Sequence, residues 1–443
     1  VVVSRLVASV LLLAWLLVSV AAAQTPAPLA LMISIDGLRP DYVTAADRHG
    51  VKIPALRRFV QEGTYARVEG VIPTVTYPSH TTLVTGVAPA RHGIHSNTMF
   101  DPMRGTAPAT WYWYAEDIKV PTLWDAVARA GGTTASIQWP VTVGARVTWN
   151  VPDYWRSVLD DAKMRRVLST PGLLAELEGA LGPFPHGQDV DSDEARGRFA
   201  VRLLETKRPM FTTLHLLALD HVQHETGPMT AETFAVLERL DTVVASLRDT
   251  AERLAPGRSL IAIVSDHGFA KVDQSLNVFA PLREAGLYTV ERGRIADWKA
   301  VPWNAGGSAA IVLKDPADES TRARVRTVLD KLAADPAHGV DRILDADALR
   351  ARGGFPTASF LVGMKSGWQV APGAQGPLTS AGRGGTHGHL PDLPDLHASL
   401  FMVGAGVPAG RDLGVIDMRD IAPTVARRLG VSLPTADGKP LLP

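Results

Sequence analysis

Seven side chains in this sequence have the chemistry to hold and use a divalent cation: Asp36, Thr76, Asp220, His224, Asp266, His267 and His387. Carboxylate oxygen and neutral imidazole nitrogen are the donors that zinc accepts where thiolate is missing, and the chain has no cysteine. That absence excludes zinc–thiolate sites, disulfide frameworks and thiol nucleophiles. The spacing carries the argument further. Asp36, Asp220 and Asp266 each follow a short apolar run, where a buried strand would stop. His224 lies one helical turn after Asp220, so both side chains share a face. His267 directly follows Asp266 in VSDHG, and His387 sits in GRGGTHGH, whose glycines permit close backbone approach. These groups exceed what one ion takes from protein; two ions ~4 Å apart would use them all, with Asp36 and the Thr76 hydroxyl completing the set. One ion could lower the pKa of the Thr76 hydroxyl and make it a nucleophile, while the other activates water. Each aspartate taken alone could equally start a turn or cap a helix.

Thr76 stands between Pro73 and Pro78 in IPTVTYPSHTTLVTG, directly before an amphipathic, helix-compatible run. Either it caps that helix, or its hydroxyl lies where unpaired N–H groups and the helix dipole favour an anionic oxygen. The elements around it read as alternating strand and helix. Leu29–Ile35, Phe211–Leu219 and Leu260–Val264 are continuous apolar runs suited to strands buried on both faces. Ala66–Val71, Thr134–Gln138 and Ala398–Val403 are further strand candidates, and Ile53–Glu62, Thr122–Ala130, Ala231–Leu254 and Met418–Leu429 read as helices. The pattern predicts an α/β fold, a mostly parallel central sheet flanked by helices, with ligands gathered at the carboxyl ends of the strands. Residues 277–380 change texture, mixing short strands with Gly/Pro-rich turns, and predict a smaller inserted α+β subdomain between catalytic segments 24–276 and 381–443.

Residues 1–23 have the layout of a secretory signal: Arg5, an apolar run, then Ala21-Ala22-Ala23. Cleavage there predicts a periplasmic or secreted protein with no stable membrane insertion. A formal net charge of zero argues against a nucleic-acid polymer as partner. Nothing in the sequence fixes an oligomeric state.

The pieces ISIDG, PTVTYPSHTTLVTGVAPARHGI, LDHVQHETGP, VSDHG and GTHGH occur in an order that resembles the nucleotide pyrophosphatase/phosphodiesterase family of the alkaline phosphatase superfamily. The resemblance implies an alkaline phosphatase-like fold and hydrolysis of phosphodiester bonds through a phosphothreonine on Thr76. It implies two zinc ions, one on Asp220, His224 and His387, the other on Asp36, Asp266, His267 and Thr76. It gives Asn97 a hydrogen bond to a phosphoryl oxygen and makes Tyr77 and Tyr154 aromatic substrate contacts, for a small phosphodiester or nucleotide. A phosphomonoesterase or phosphonate hydrolase of the same superfamily is the alternative. A secreted metal-binding protein without turnover is a further one, and the filled ligand positions argue against it.

Overall fold

The computed structural model describes residues 28–103, 109–156, 160–371, 373 and 376–442. The expected leader, 1–23, lies outside the described residues. The central sheet has eight strands: β1 (Leu29–Ile35), β2 (Thr64–Glu69), β3 (Thr134–Ile137), β4 (Trp149–Val151), β5 (Phe211–Leu216), β6 (Ser259–Val264), β7 (Ala398–Gly404) and β8 (Arg411–Asp417). Their order across the sheet is β8-β2-β7-β6-β1-β5-β3-β4. Every pairing is parallel except those of β7, which runs against both β2 and β6. β1, β5 and β6 are buried along their whole length, as continuous aliphatic runs require when helices cover both faces.

One apolar core packs the long helix Ala231–Leu254 and its neighbour Val190–Lys207 against one face, and a second seats the helix Ile421–Leu429 on the other. Local sequence explains the helix starts. Thr230 accepts from the Thr233 N–H and Thr122 from the Asp125 N–H, each in a reciprocal capping box.

One expectation needs correction, and two strands went unread. The run Phe211–Leu219 is not one strand: β5 ends at Leu216, and Ala218–Thr226 is already helix, so Asp220 sits in a first helical turn rather than at a strand end. A purely apolar run cannot distinguish the last turn of a strand from the first turn of a buried helix. The edge strands β4 and β8 carry no alternating pattern strong enough to mark them.

Residues 300–364 build a second sheet, antiparallel, in the order 300–304, 308–313, 358–364, 340–345, with the helix Glu319–Ala334 packed in the same apolar cluster. A ribbon joins this unit to the rest: Ala270–Leu276, which follows β6, pairs with Gly367–Val370 on one side and with Thr379–Ala381 and Gly385–Thr386 on the other.

Candidate metal and phosphoryl-transfer site

Topology brings the chemistry to one edge. β1, β5 and β6 are parallel, so their carboxyl ends open on the same side, and Asp36, Asp220 and Asp266 follow them there. β2 runs the same way and delivers the loop 70–75 and Thr76 to that edge. Because β7 is reversed, its beginning rather than its end lies at this edge. The segment before it, carrying His387, therefore arrives at the same crevice.

Two overlapping groups result. The donor atoms of Asp36, Asp266 and His267 lie within 4.8 Å of one another, as do those of Asp220, His267 and His387. His267 Nε2 is 3.0 Å from Asp266 Oδ2 and 3.4 Å from Asp36 Oδ1. His387 Nε2 is 3.7 Å from Asp220 Oδ1, and the His267 and His387 rings stack with centroids 3.7 Å apart. His224 approaches from the helix Ala218–Thr226, its Nε2 3.5 Å from Asp220 Oδ2, and so stands at the margin of the group that its spacing assigned it to.

The histidines share one arrangement. His224 Nδ1 faces the Gly385 carbonyl at 3.1 Å, His267 Nδ1 the Gly268 carbonyl at 3.0 Å, and His387 Nδ1 the Thr74 carbonyl at 3.1 Å. A carbonyl can only accept, so each Nδ1 carries a proton and each Nε2 is directed to the crevice, where a neutral ring would offer its lone pair to a cation. The carboxylates are crowded. Burial and the neighbouring charges of Asp266 and Asp220 push the Asp36 carboxyl well above the usual range. Asp36 Oδ1, Asp220 Oδ1, Asp266 Oδ2 and His267 Nε2 are all buried without a hydrogen-bond partner. Buried acceptors facing one another without a donor are costly, and a cation is the group that satisfies all of them at once. The residues fit a metal pair.

Thr76 is the first residue of the helix Thr76–Thr85, and Val75, not Thr76, occupies the cap position. The capping alternative therefore falls. Nor is the helix amphipathic: it is buried on every side, its hydroxyls bonded inward, as in Thr81 Oγ1 to the Tyr77 carbonyl at 2.8 Å. His80 ties it to the metal ligands. His80 Nδ1 donates to the Thr76 carbonyl at 2.8 Å and lies 3.6 Å from Asp266 Oδ2, while Nε2 meets Ser34 Oγ at 2.8 Å. Asn97 Oδ1 accepts the Tyr77 N–H at 2.8 Å. That bond fixes the amide orientation and leaves the NH2 group as what Asn97 offers to a ligand. Since Pro78 has no N–H and that of Tyr77 is taken, an anion at this terminus would meet the Thr76 N–H and the Asn97 amide.

The aromatic expectations fare differently. Tyr77 is 2% exposed and Tyr154 7%, both inside an apolar cluster with Trp113 and Val141. The Tyr77 phenol donates to Asp153 Oδ2 at 2.7 Å, and its ring meets Trp111 at 5.2 Å and Trp113 at 6.0 Å. These faces are already covered by protein, so neither tyrosine presents a stacking surface. The cluster meets solvent instead through the half-buried Trp111 and Trp155, 4.6 Å apart.

Sequence reasoning also missed His215, whose Nε2 lies 2.9 Å from Asp36 Oδ2 and whose Nδ1 faces the Gln138 carbonyl at 3.1 Å. An imidazole inside the apolar strand FTTLHL was the available signal, since a buried histidine must find polar partners.

An α/β sheet with a carboxylate–imidazole cluster at its carboxyl edge, next to a helix-terminal hydroxyl, is the arrangement expected of a hydrolase of the alkaline phosphatase superfamily. The model of the type I phosphodiesterase / nucleotide pyrophosphatase family matches residues 30–390, and the chain belongs to that family of hydrolases acting on phosphoric ester bonds. Among its relatives is human ectonucleotide pyrophosphatase/phosphodiesterase family member 1, 28% identical over 54% of this chain and 23% of that protein. Human family member 5 is 33% identical over 55% of this chain and 45% of that protein. The chain thus spans about a quarter to half the length of these two relatives. Mouse bis(5'-adenosyl)-triphosphatase is 24% identical over 91% of this chain and 78% of its own. In fold, the chain is similar to an inactive variant of murine ectonucleotide pyrophosphatase/phosphodiesterase 5 in complex with AMP. The TM-score is 0.66 at 18% identity, covering 93% of this chain and 97% of that one.

Proposed function

We propose that this chain is an exported two-zinc phosphodiesterase, acting on a small phosphodiester or nucleotide through a phosphothreonine at Thr76. The observation that carries the reading is the pair of overlapping Asp/His groups, their Nε2 atoms facing inward, beside the helix that Thr76 begins. Asp220, His224 and His387 would hold one zinc, and Asp36, Asp266, His267 and the Thr76 hydroxyl the other. Bound there, zinc supplies Lewis-acid stabilisation of phosphoryl charge and a lowered hydroxyl pKa.

The chain's own groups do the rest. Thr76 Oγ forms a bond to phosphorus as the bond to the leaving oxygen breaks, and the proton lost by threonine balances the one the leaving alcohol gains. The Asn97 NH2 donates to a phosphoryl oxygen whose charge grows in the transition state. His80 and Asn97 fix the first turn of the helix, so Thr76 needs little reorganisation to attack. Water then attacks the phosphothreonine, breaking its P–Oγ bond, returning a proton to Thr76 and releasing the monoester. AMP in the similar murine protein supports a nucleotide as one half of the substrate. Residues 24–276 and 381–443 would form the catalytic unit and 277–380 an insertion.

Metal analysis combined with Thr76→Ala tests the reading. The variant should keep its metal and lose roughly 10³-fold or more of its turnover of an aryl phosphodiester. Near-full activity would remove Thr76 from the mechanism. Faster cleavage of an aryl phosphomonoester than of the diester would favour the monoesterase alternative.

A further inference from the structure

A cavity of about 890 Å³ lies in the seam between the loop that carries Asn97 and the second sheet. We propose that it receives one organic arm of the phosphodiester, an aromatic group bearing its own negative charge. This rests on the phosphodiesterase reading.

Three observations carry it. First, the walls are aromatic. Phe100 meets Trp298 at 5.8 Å and Trp303 at 5.2 Å, and all three line the cavity. Inclined to one another by 78° and 45°, the rings form an apolar corner against which another ring can pack. Second, the charged side chains at its rim are cationic. Lys314, Arg322 and Arg350 line it, and no aspartate or glutamate does so among the described residues. Lys314 Nζ stands 5.9 Å over the Trp298 ring, so cation and platform form one unit. Each cation has a carboxylate neighbour outside the lining: Asp297 for Lys314 at 3.3 Å, Glu319 for Arg322 and Asp347 for Arg350. Exposed pairs of this kind contribute little and exchange readily for a ligand anion.

Third, the cavity adjoins the loop that carries Asn97: His95, Met99 and Phe100 of that loop line it. Phe100 follows Asn97 by three residues, and Tyr112, which also lines the cavity, donates its backbone N–H to the Asn97 carbonyl at 3.2 Å. Ile72 and Val75, from the loop before Thr76, share an apolar cluster with Trp303, Val312 and Ala358 of the cavity wall. A substituent on a phosphorus atom held between Thr76 and Asn97 would run along this loop to reach the cavity. The volume falls within the range that holds a small organic ligand.

The test compares 4-nitrophenyl phenyl phosphate with its counterpart carrying a carboxylate on the phenyl ring, using the metal-loaded chain. The double variant Lys314→Glu/Arg350→Glu changes two exposed side chains outside the proposed catalytic groups. It should raise KM for the carboxylated diester about tenfold at low salt, with kcat unchanged, and converge on the parent protein at high salt. KM for the neutral diester should move less than about twofold, as weak exposed-pair energetics imply. Trp298→Ala should raise KM for both. Equal effects of charge reversal on the two diesters, or none on either, would overturn the proposal. Calorimetry with the non-hydrolysable phosphonate of the carboxylated compound separates the two readings. If neither diester is cleaved yet the phosphonate binds and charge reversal weakens it, the cavity assignment stands and the phosphodiesterase reading falls. If the phosphonate binds the double variant as well as the parent, the cavity assignment falls.

Discussion

His215 shows how much of this site depends on a side chain that need not touch substrate. The Gln138 carbonyl can only accept, so Nδ1 must donate to it, and the 2.9 Å contact of Nε2 with Asp36 then needs a further proton. Burial holds the imidazole well below its ordinary pKa, and burial beside Asp266 and Asp220 pushes Asp36 well up, so the two groups share one proton across this contact. Asp36 is thereby fixed with Oδ2 against His215 and Oδ1 towards the crevice. His215→Ala should lower metal affinity ~10–100-fold, the usual cost of losing a ligand's orienting partner. Titration calorimetry reads it, and unchanged affinity would deny His215 the role.

Asp153 makes a pH prediction at the same scale. Burial pushes its carboxyl up to about 6 from an ordinary 3.8, against the smaller opposing effects of the Tyr77 hydroxyl and Arg165. A carboxyl raised by folding adds stability that is complete below its unfolded pKa and is lost as pH rises through its folded pKa. Asp153→Asn removes that slope. Relative to the parent, the variant should gain on the order of 3 kcal/mol between pH 4 and pH 7. Parallel stability curves in denaturant would contradict this.

At the scale of elements, the loop 384–388 holds His387 by contacts that exclude a side chain. Gly388 has φ +88°, and a Cβ there would lie 1.6 Å from the Ala305 carbonyl oxygen of the second sheet unit; Gly384, at φ +67°, would meet the His224 carbonyl oxygen at 2.1 Å. Gly388→Ala therefore combines backbone strain with a clash against main chain. It should cost at least ~2 kcal/mol of stability and displace His387, weakening metal binding with it. A variant with parent-like melting and metal content would show that the loop adapts. The glycines of GRGGTHGH were visible in the sequence as permitting close backbone approach; that Gly388 presses against the second sheet unit was not.

The same limit explains what else was and was not legible. Asp36, Asp266 and His267 could be placed because a strand end fixes position and direction together. Tyr77 misled because it adjoins Thr76 at the helix start by the crevice, while its own ring turns back into a packed cluster that only the fold reveals. β4 and β8 pair at the sheet edges, the first only three residues long and the second, RDLGVID, mixing charges and glycine into its run.

On the scale of the whole molecule, the ligand groups come from four separated stretches of chain, around residues 36, 220, 266 and 387, with like charges facing one another. Removing a cation that satisfies them should leave the repulsion uncompensated. Chelation should lower the melting temperature by several degrees, and re-addition of zinc should restore it, since any ion bound only by the native state stabilises it. Scanning calorimetry of the treated and reloaded protein reads this directly; an unchanged transition would argue against a structural contribution from metal.

The reversed strand β7 also governs the order in which the chain can be assembled. It lies between β2 and β6, so the sheet has a gap in its middle until residues 398–404 arrive. A chain emerging from a ribosome would expose the β2 edge from residue 69 onward and the β6 edge from residue 264 onward, until residues 398–404 appear. Its early intermediates are therefore open to strand exchange with other copies, and a chain cut at residue 390 would retain every proposed ligand yet no closed sheet to hold them.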